Sequence, residues 1–321
     1  MANFDVFNGD ADGILALHQF RLAYPETNTL VTGVKRDVKL IKHLSQEKNA
    51  KVTVFDISLE SNQDTVTQAL ENGSSFLWFD HHRRGDLQDG EQLETYIDLS
   101  PTCCTSILVD QYLKGQFHPW SIAAAFGDNL RAAAEKLCES ANLSQSEMTQ
   151  LKELGETLNY NGYGEVKEDL NLWPADLYNE LKTYQNPFDY IKNSKAFEKI
   201  KLQKVEDETV LGESQELFSC KSGKATLLPK GPSSKRMSGI FSNDLVHTEP
   251  DLAHAIFTHL EDGESYRISI RAPLNNLKNA DTLAKQFPTG GGRAGAAGVN
   301  ELHKDQLTDF FKAFEETFQS C

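Results

Sequence analysis

Between Phe4 and Phe79 the chain alternates short β-branched and aromatic runs with stretches whose apolar residues recur at i, i+3 and i+4. No other feature constrains the fold as much, because this rhythm is what a parallel sheet covered by helices requires. Strands are predicted at Phe4 to Phe7, Thr29 to Gly33, Val52 to Ile57 and Phe76 to Phe79, with helices at Ile14 to Ala23, Val38 to Leu44 and Asp64 to Leu70. From Ile122 to Leu158 and from Trp173 to Glu216 the pattern is mainly helical, broken near Asn186-Pro187. A second group of strands is predicted at Glu216 to Cys220, Lys224 to Leu228, Ala253 to Thr258 and Tyr266 to Arg271, before a glycine-rich turn and a last amphipathic helix from Lys304. The stretch Pro229 to Arg236, with its prolines, serines and basic residues, reads as a loop. The expected fold class is α/β. A parallel-sheet domain with a helical flank spans residues 1–190, a helical connector residues 191–214, and a smaller α/β domain residues 215–321.

The length of 321 residues agrees with two domains, since single cores stop growing near roughly 250–300 residues. With 32 Lys and Arg against 47 Asp and Glu, the formal net charge is −15. That excess disfavours a grip on long duplex nucleic acid, which needs a basic track, and disfavours anionic membrane surfaces. It leaves room for a short anionic ligand in one local basic pocket. No apolar run reaches the ~18 residues of a membrane span and no signal-peptide pattern is present, so the expected location is the cytoplasm. The five cysteines, Cys103, Cys104, Cys138, Cys220 and Cys321, lack C-x-x-C spacing and read as reduced, mostly structural thiols.

Chemically loaded residues fall where open parallel sheets place their ligands, at or beyond the carboxyl ends of predicted strands. They are Asp10 and Asp12 in FNGDADG, Asp56 in VFDIS, and Asp80-His81-His82 in WFDHH, with Asp128 in AFGDN following a helical stretch. Singly, each is explained as a turn residue or helix cap. Together they form an acidic cluster with no basic residue immediately among them, which would repel itself without cations. Carboxylates mixed with imidazole suit divalent ions of the manganese type.

In this order the segments Asp10-x-Asp12, Asp56, Asp80-His81-His82 and Asp128 resemble the motifs of the DHH phosphoesterase superfamily. The run Gly291-Gly292-Arg293-Ala294-Gly295-Ala296-Ala297-Gly298 resembles the GGHxxAAG signature of the DHHA1 domain, which accompanies one branch of it. The resemblance implies two divalent ions, preferably Mn2+. Asp10 and Asp56 would bind one, Asp12, Asp56, His81 and Asp128 the other, with Asp56 as the bridge. His82 would face the substrate phosphate, and Asp80 would orient the histidine pair. Two departures stand out: Val6 occupies the register where many members carry a further histidine ligand, and Arg293 replaces the histidine of the glycine signature. Asn8 is the candidate substitute oxygen donor at the first ion.

For substrate the resemblance points to Arg271, Gly291, Gly292, Arg293, Ala297 and Gly298, in a cleft between the domains. Lys230, Lys235 and Arg236 are further basic residues for an anion pocket, and Arg83 and Arg84 lie beside the histidines. The helix opening at Thr102 to Ser106 offers either backbone N–H groups for a phosphate or ordinary caps. The implied activity is metal-dependent hydrolysis of short linear RNA or dinucleotides, water being activated between two ions. A cyclic-dinucleotide phosphodiesterase, or a non-catalytic nucleotide-binding protein with an impaired first metal site, is the alternative. Self-association as a homodimer stays open.

Overall fold

The computed structural model describes residues 2–319; Cys321 lies outside them. The chain divides into two units, Met1–Lys204 and Val205–Cys321.

The first unit carries strands β1 (Asn3–Phe7), β2 (Thr29–Thr32), β3 (Lys51–Phe55), β4 (Ser75–Asp80) and β5 (Leu93–Ile97) in one sheet of order β2-β1-β3-β4-β5. Every pairing is parallel, with Phe7 opposite Phe55 and Phe55 opposite Phe79, so the carboxyl ends of the central strands align along one edge. Both faces are covered, which is why the strands read as nearly continuous apolar runs. Phe4, Val6, Val52, Val54, Phe76 and Trp78 pack with residues of α2 (Leu59–Glu71) and of a 3₁₀ turn at Leu40–Leu44. On the other face Phe20 of α1 (Ala11–Ala23) meets Phe55 and Phe79, and buried Arg21 holds Asp5 of β1 at 2.6 Å.

A helical layer follows, comprising α3 (Thr105–Tyr112), α4 (His118–Gly127), α5 (Arg131–Ser140), α6 (Gln145–Gly162), α7 (Pro174–Leu181) and α8 (Pro187–Asn193). Because α1 lies between the sheet and α3, α4 and α6, eleven of its residues are buried and it shows no polar face. The two units divide within α9 (Lys195–Leu211).

The second unit has a six-stranded mixed sheet built from β6 (Gln215–Cys220), β7 (Gly223–Leu227), β8 (Ala253–His259), β9 (Ser265–Arg271), β10 (Gly290–Gly292) and β11 (Ala296–His303), in the order β10-β11-β9-β8-β7-β6. Between β7 and β8 runs α10 (Pro232–Thr248); α11 (Ala280–Ala284) precedes β10, and α12 (Leu307–Phe318) closes the chain. Phe310, Phe314 and Phe318, at four-residue spacing, anchor α12 on the core of this sheet.

Most predicted elements are present, and two expectations need correction. Pro229 to Arg236 is not all loop: Pro232 takes the first turn of α10, where its fixed φ favours the helix and its missing N–H costs nothing. The glycine-rich segment is a β-hairpin, Gly291 facing Gly298 and Gly292 facing Ala297, with the tip at Arg293 closed by Arg293 N–H to the Ala296 carbonyl at 2.8 Å. The edge strand β5 has no counterpart among the strands expected from the sequence pattern. No helix among the described residues is long and apolar enough to cross a membrane.

Candidate metal centre

The loops after β1, β3 and β4 bring the motif residues to one edge of the sheet. Asp10 caps α1, its Oδ1 accepting the N–H groups of Asp12 (3.0 Å) and Gly13 (3.2 Å). Asp12 lies in the first turn of that helix and faces the start of α3. Its two carboxylate oxygens accept the N–H groups of Thr105 (2.8 Å) and Ser106 (2.7 Å). Those two N–H groups therefore serve a carboxylate and are not receivers for a substrate phosphate.

Asp56 follows β3 in the left-handed backbone region at φ 57°, an uncommon conformation of the kind that concentrates at functional sites. Its carboxylate accepts the Thr105 hydroxyl and lies 3.3 Å from His81 Nε2. His81 Nδ1 is 3.1 Å from the Cys103 carbonyl, which fixes that nitrogen as the donor and turns Nε2 toward Asp56 and, at 3.9 Å, Asp128. Asp128 occupies the C-cap of α4. Side-chain atoms of Asp12, His81 and Asp128 lie within 4.8 Å of one another, and His81 shares a second such group with Asp56 and His82.

Asp80 is fully buried at the end of β4 and holds His82 Nδ1 at 2.7 Å. It orients His82 alone, since His81 is set by the Cys103 carbonyl. With Nδ1 engaged, His82 presents its outer nitrogen, and the side chain is one-third exposed.

Crowding of like charges in a buried site perturbs Asp56, Asp128 and His81. Burial, reinforced by the charges of Asp10 and Asp12, pushes Asp56 well above the usual carboxylate range. Burial also raises Asp128, to about 6, against the opposing charge of Lys35. Burial opposes charge on His81, yet its hydrogen bond to Asp56 and the charges of Asp12, Asp56 and Asp128 prevail, pushing it up to about 11. These are the signs of a cradle built around positive charge. Asp12, His81 and Asp128 form one group close enough to hold a divalent ion of the magnesium or manganese type, and Asp56 joins His81 and His82 in a second.

The expectation that no basic residue stands among the carboxylates fails. Lys35, from the loop after β2, places its ammonium 2.6 Å from Asp10 Oδ2. Its Nζ also donates to Asn159 Oδ1 at 2.9 Å and lies 5.2 Å from the Tyr163 ring centroid. Asn8 is not directed to an ion either: its amide donates to the Lys35 carbonyl, and its Oδ1 accepts the Asp10 N–H. Val6 lies in the apolar layer beneath the Leu40–Leu44 turn and α2, so that register offers no ligand.

In the second unit, Arg271 ends β9 and donates to Asn243 Oδ1 and Ser269 Oγ. Arg293 is exposed at the hairpin tip. Gly292 must lack a side chain, having φ 142° and standing where a Cβ would lie 2.4 Å from the Ala297 Cα. Gly291 differs, because a Cβ there would meet nothing within 4 Å. Arg236 is buried and paired with Asp207 through two bonds of 2.7 and 2.9 Å, and Lys235 is paired with Glu261. Arg236 thus has a structural partner in place of the expected anion. Arg84 is similarly occupied, with Asp89 and the Leu87 carbonyl.

By sequence, no family model and no curated protein matches the chain. By structure, exonuclease RecJ bound to manganese is similar at 13% identity and a TM-score of 0.64, the match covering 100% of this chain and 90% of that one. RecJ from Thermus thermophilus in complex with Mn2+ matches at 12% identity and TM-score 0.64, over 100% of this chain and 52% of that one. PggH from Vibrio cholerae, a pGpG-specific phosphodiesterase, matches at 12% identity and TM-score 0.58, over 100% of this chain and 99% of that one. The fold is that of the DHH-domain proteins. Its two-unit form, a parallel sheet followed by a mixed sheet, is the arrangement the DHH and DHHA1 motifs implied.

Proposed function

We propose that this protein is a divalent-metal-dependent phosphodiesterase that hydrolyses short linear nucleic-acid substrates, dinucleotides or nano-RNA. The observation that carries this reading is the convergence of Asp12, Asp56, His81 and Asp128 at the carboxyl edge of the sheet, with His82 held beside them by Asp80. A bound divalent ion, Mn2+ or Mg2+, would polarise a phosphoryl oxygen and lower the pKa of water. His81 is kept in the ligating tautomer by the Cys103 carbonyl, and Asp12 is kept in place by the first turn of α3. His82, with its inner nitrogen bound to Asp80, directs its outer nitrogen to a phosphate oxygen or to the leaving oxygen. In the second unit the Arg271 and Arg293 guanidiniums and the open backbone at Gly291, Gly292, Ala297 and Gly298 would receive phosphate or base groups.

The preference for a short substrate is supported by the net charge of −15, which suits a locally gripped ligand better than a long strand. A likeness to PggH that covers nearly the whole of both chains supports it as well. The test is hydrolysis, with Mn2+ or Mg2+, of a linear dinucleotide, a cyclic dinucleotide, a longer single strand and pyrophosphate. Fastest turnover of the linear dinucleotide is expected, with loss of turnover in Asp56→Asn. Preference for the longer strand or the cyclic compound would refute the substrate assignment, and no turnover of any would refute the enzyme in favour of a nucleotide-binding protein.

A further inference from the structure

The two-ion form of the site requires Asp10 as a ligand, and in this chain a cation already sits on that carboxylate. Oδ1 caps α1 through two backbone N–H groups, and Oδ2 takes the Lys35 ammonium at 2.6 Å. Asp10 accordingly belongs to neither group of side chains gathered closely enough to hold an ion. The first-ion position could draw only on Asp10 and Asp56, because Val6 is in the apolar core and Asn8 is engaged with backbone. Two carboxylates and waters can hold a divalent ion, but here the Lys35 ammonium already occupies Asp10 in its place.

Lys35 is not a surface lysine that has drifted inward. Its N–H donates to the Gly162 carbonyl at 3.0 Å and its carbonyl accepts from Asn8, so the backbone is pinned on both sides. Two of the three ammonium hydrogens go to Asp10 and Asn159, the latter from the last turns of α6. The side chain is one-quarter exposed, so a ligand can reach the ammonium.

The geometry points to a one-ion centre in which the Lys35 ammonium stands where the second divalent ion would sit. Asp12, Asp56, His81 and Asp128 hold the ion, and Lys35, carried by Asp10 and Asn159, supplies the second positive charge facing the phosphate. This rests on the phosphodiesterase reading for its purpose, but ion stoichiometry tests it without substrate. Metal-stripped full-length protein is titrated with Mn2+ by calorimetry, and the bound ion is examined by electron paramagnetic resonance. One ion per chain is expected, with an isolated-ion spectrum. Asp10→Asn should retain that ion, while Asp128→Asn weakens it by about tenfold or more. Lys35→Met should admit a second ion and an exchange-coupled spectrum, and Lys35→Arg should stay at one; thermal melts establish that each variant is folded. Two ions in the wild type, loss of an ion in Asp10→Asn, or a single ion in folded Lys35→Met would each overturn the role of Lys35 while leaving the phosphodiesterase reading intact. No bound ion in the wild type would overturn both.

Discussion

Gly155→Ala tests whether helix packing sets the metal centre. Gly155 lies in α6 against α4, and a Cβ there would stand 1.8 Å from the Ala123 carbonyl oxygen and 2.8 Å from the Gly127 nitrogen. Real Cβ contacts essentially never fall below 3.0 Å, so the two helices must part locally by about 1.2 Å. Overpacking of this kind costs typically about 1–3 kcal/mol, against a gain of about 1 kcal/mol for alanine over glycine inside a helix. The net loss of stability should therefore be modest. The ion is the more sensitive reporter. Asp128 is the residue immediately after Gly127, at the C-cap of α4, and metal–ligand distances tolerate only about ±0.2 Å. A displacement several times that size should lower Mn2+ affinity by about 10–100-fold, the range found when groups that support ligands are removed. Calorimetric titration with Mn2+, alongside urea denaturation of the metal-free protein, separates the two effects. Wild-type affinity in a variant destabilised by the clash would refute the argument that α4–α6 contact places Asp128.

His18 is buried, stacked edge-on against Trp120, and held by burial at a pKa of about 3 where 6.5 is usual. The unfolded chain therefore takes up a proton that the fold refuses, so stability should fall as pH drops from about 6.5 toward 3, by ~1.4 kcal/mol per unit from this residue. Denaturation series in wild type and His18→Leu should differ by that slope; parallel curves would refute it. For the buried pair, Arg236→Met or Asp207→Leu alone should cost about 3–5 kcal/mol, with much of it recovered in the double variant, as read by urea midpoints. Gly291→Ala should fold within about 0.5 kcal/mol of wild type yet raise KM for a dinucleotide, because its side chain enters open space, whereas Gly290→Ala, with a Cβ 1.7 Å from the Ala284 carbonyl, should lower the melting temperature. Unchanged KM in Gly291→Ala would remove that glycine from substrate binding.

The features readable in sequence are those governed by local periodicity or by the geometry of a parallel sheet. Strand ends align when all strands run one way, so the sequence pattern alone places Asp10, Asp56 and Asp80 on one edge. The N-terminal part of α10 reads as a loop because Pro232 and its serines resemble one unless proline is recognised at the first helical turn. Arg236 misleads for a related reason: a lone basic residue in such a stretch looks solvated, and nothing local announces Asp207 on another helix. Lys35 is the deeper case. In GVKRD it resembles an ordinary charged turn, and its role depends on β2 lying beside β1 and on α6 bringing Asn159 to the same point. A net charge of −15 hides this, because whole-chain sums cannot show that a single ammonium has been set against a particular carboxylate. Val6 in the apolar core and Lys35 on Asp10 then belong to one arrangement. A site that lacks a ligand for an ion still has to neutralise the carboxylate left behind, and an anchored ammonium does so without needing coordination geometry.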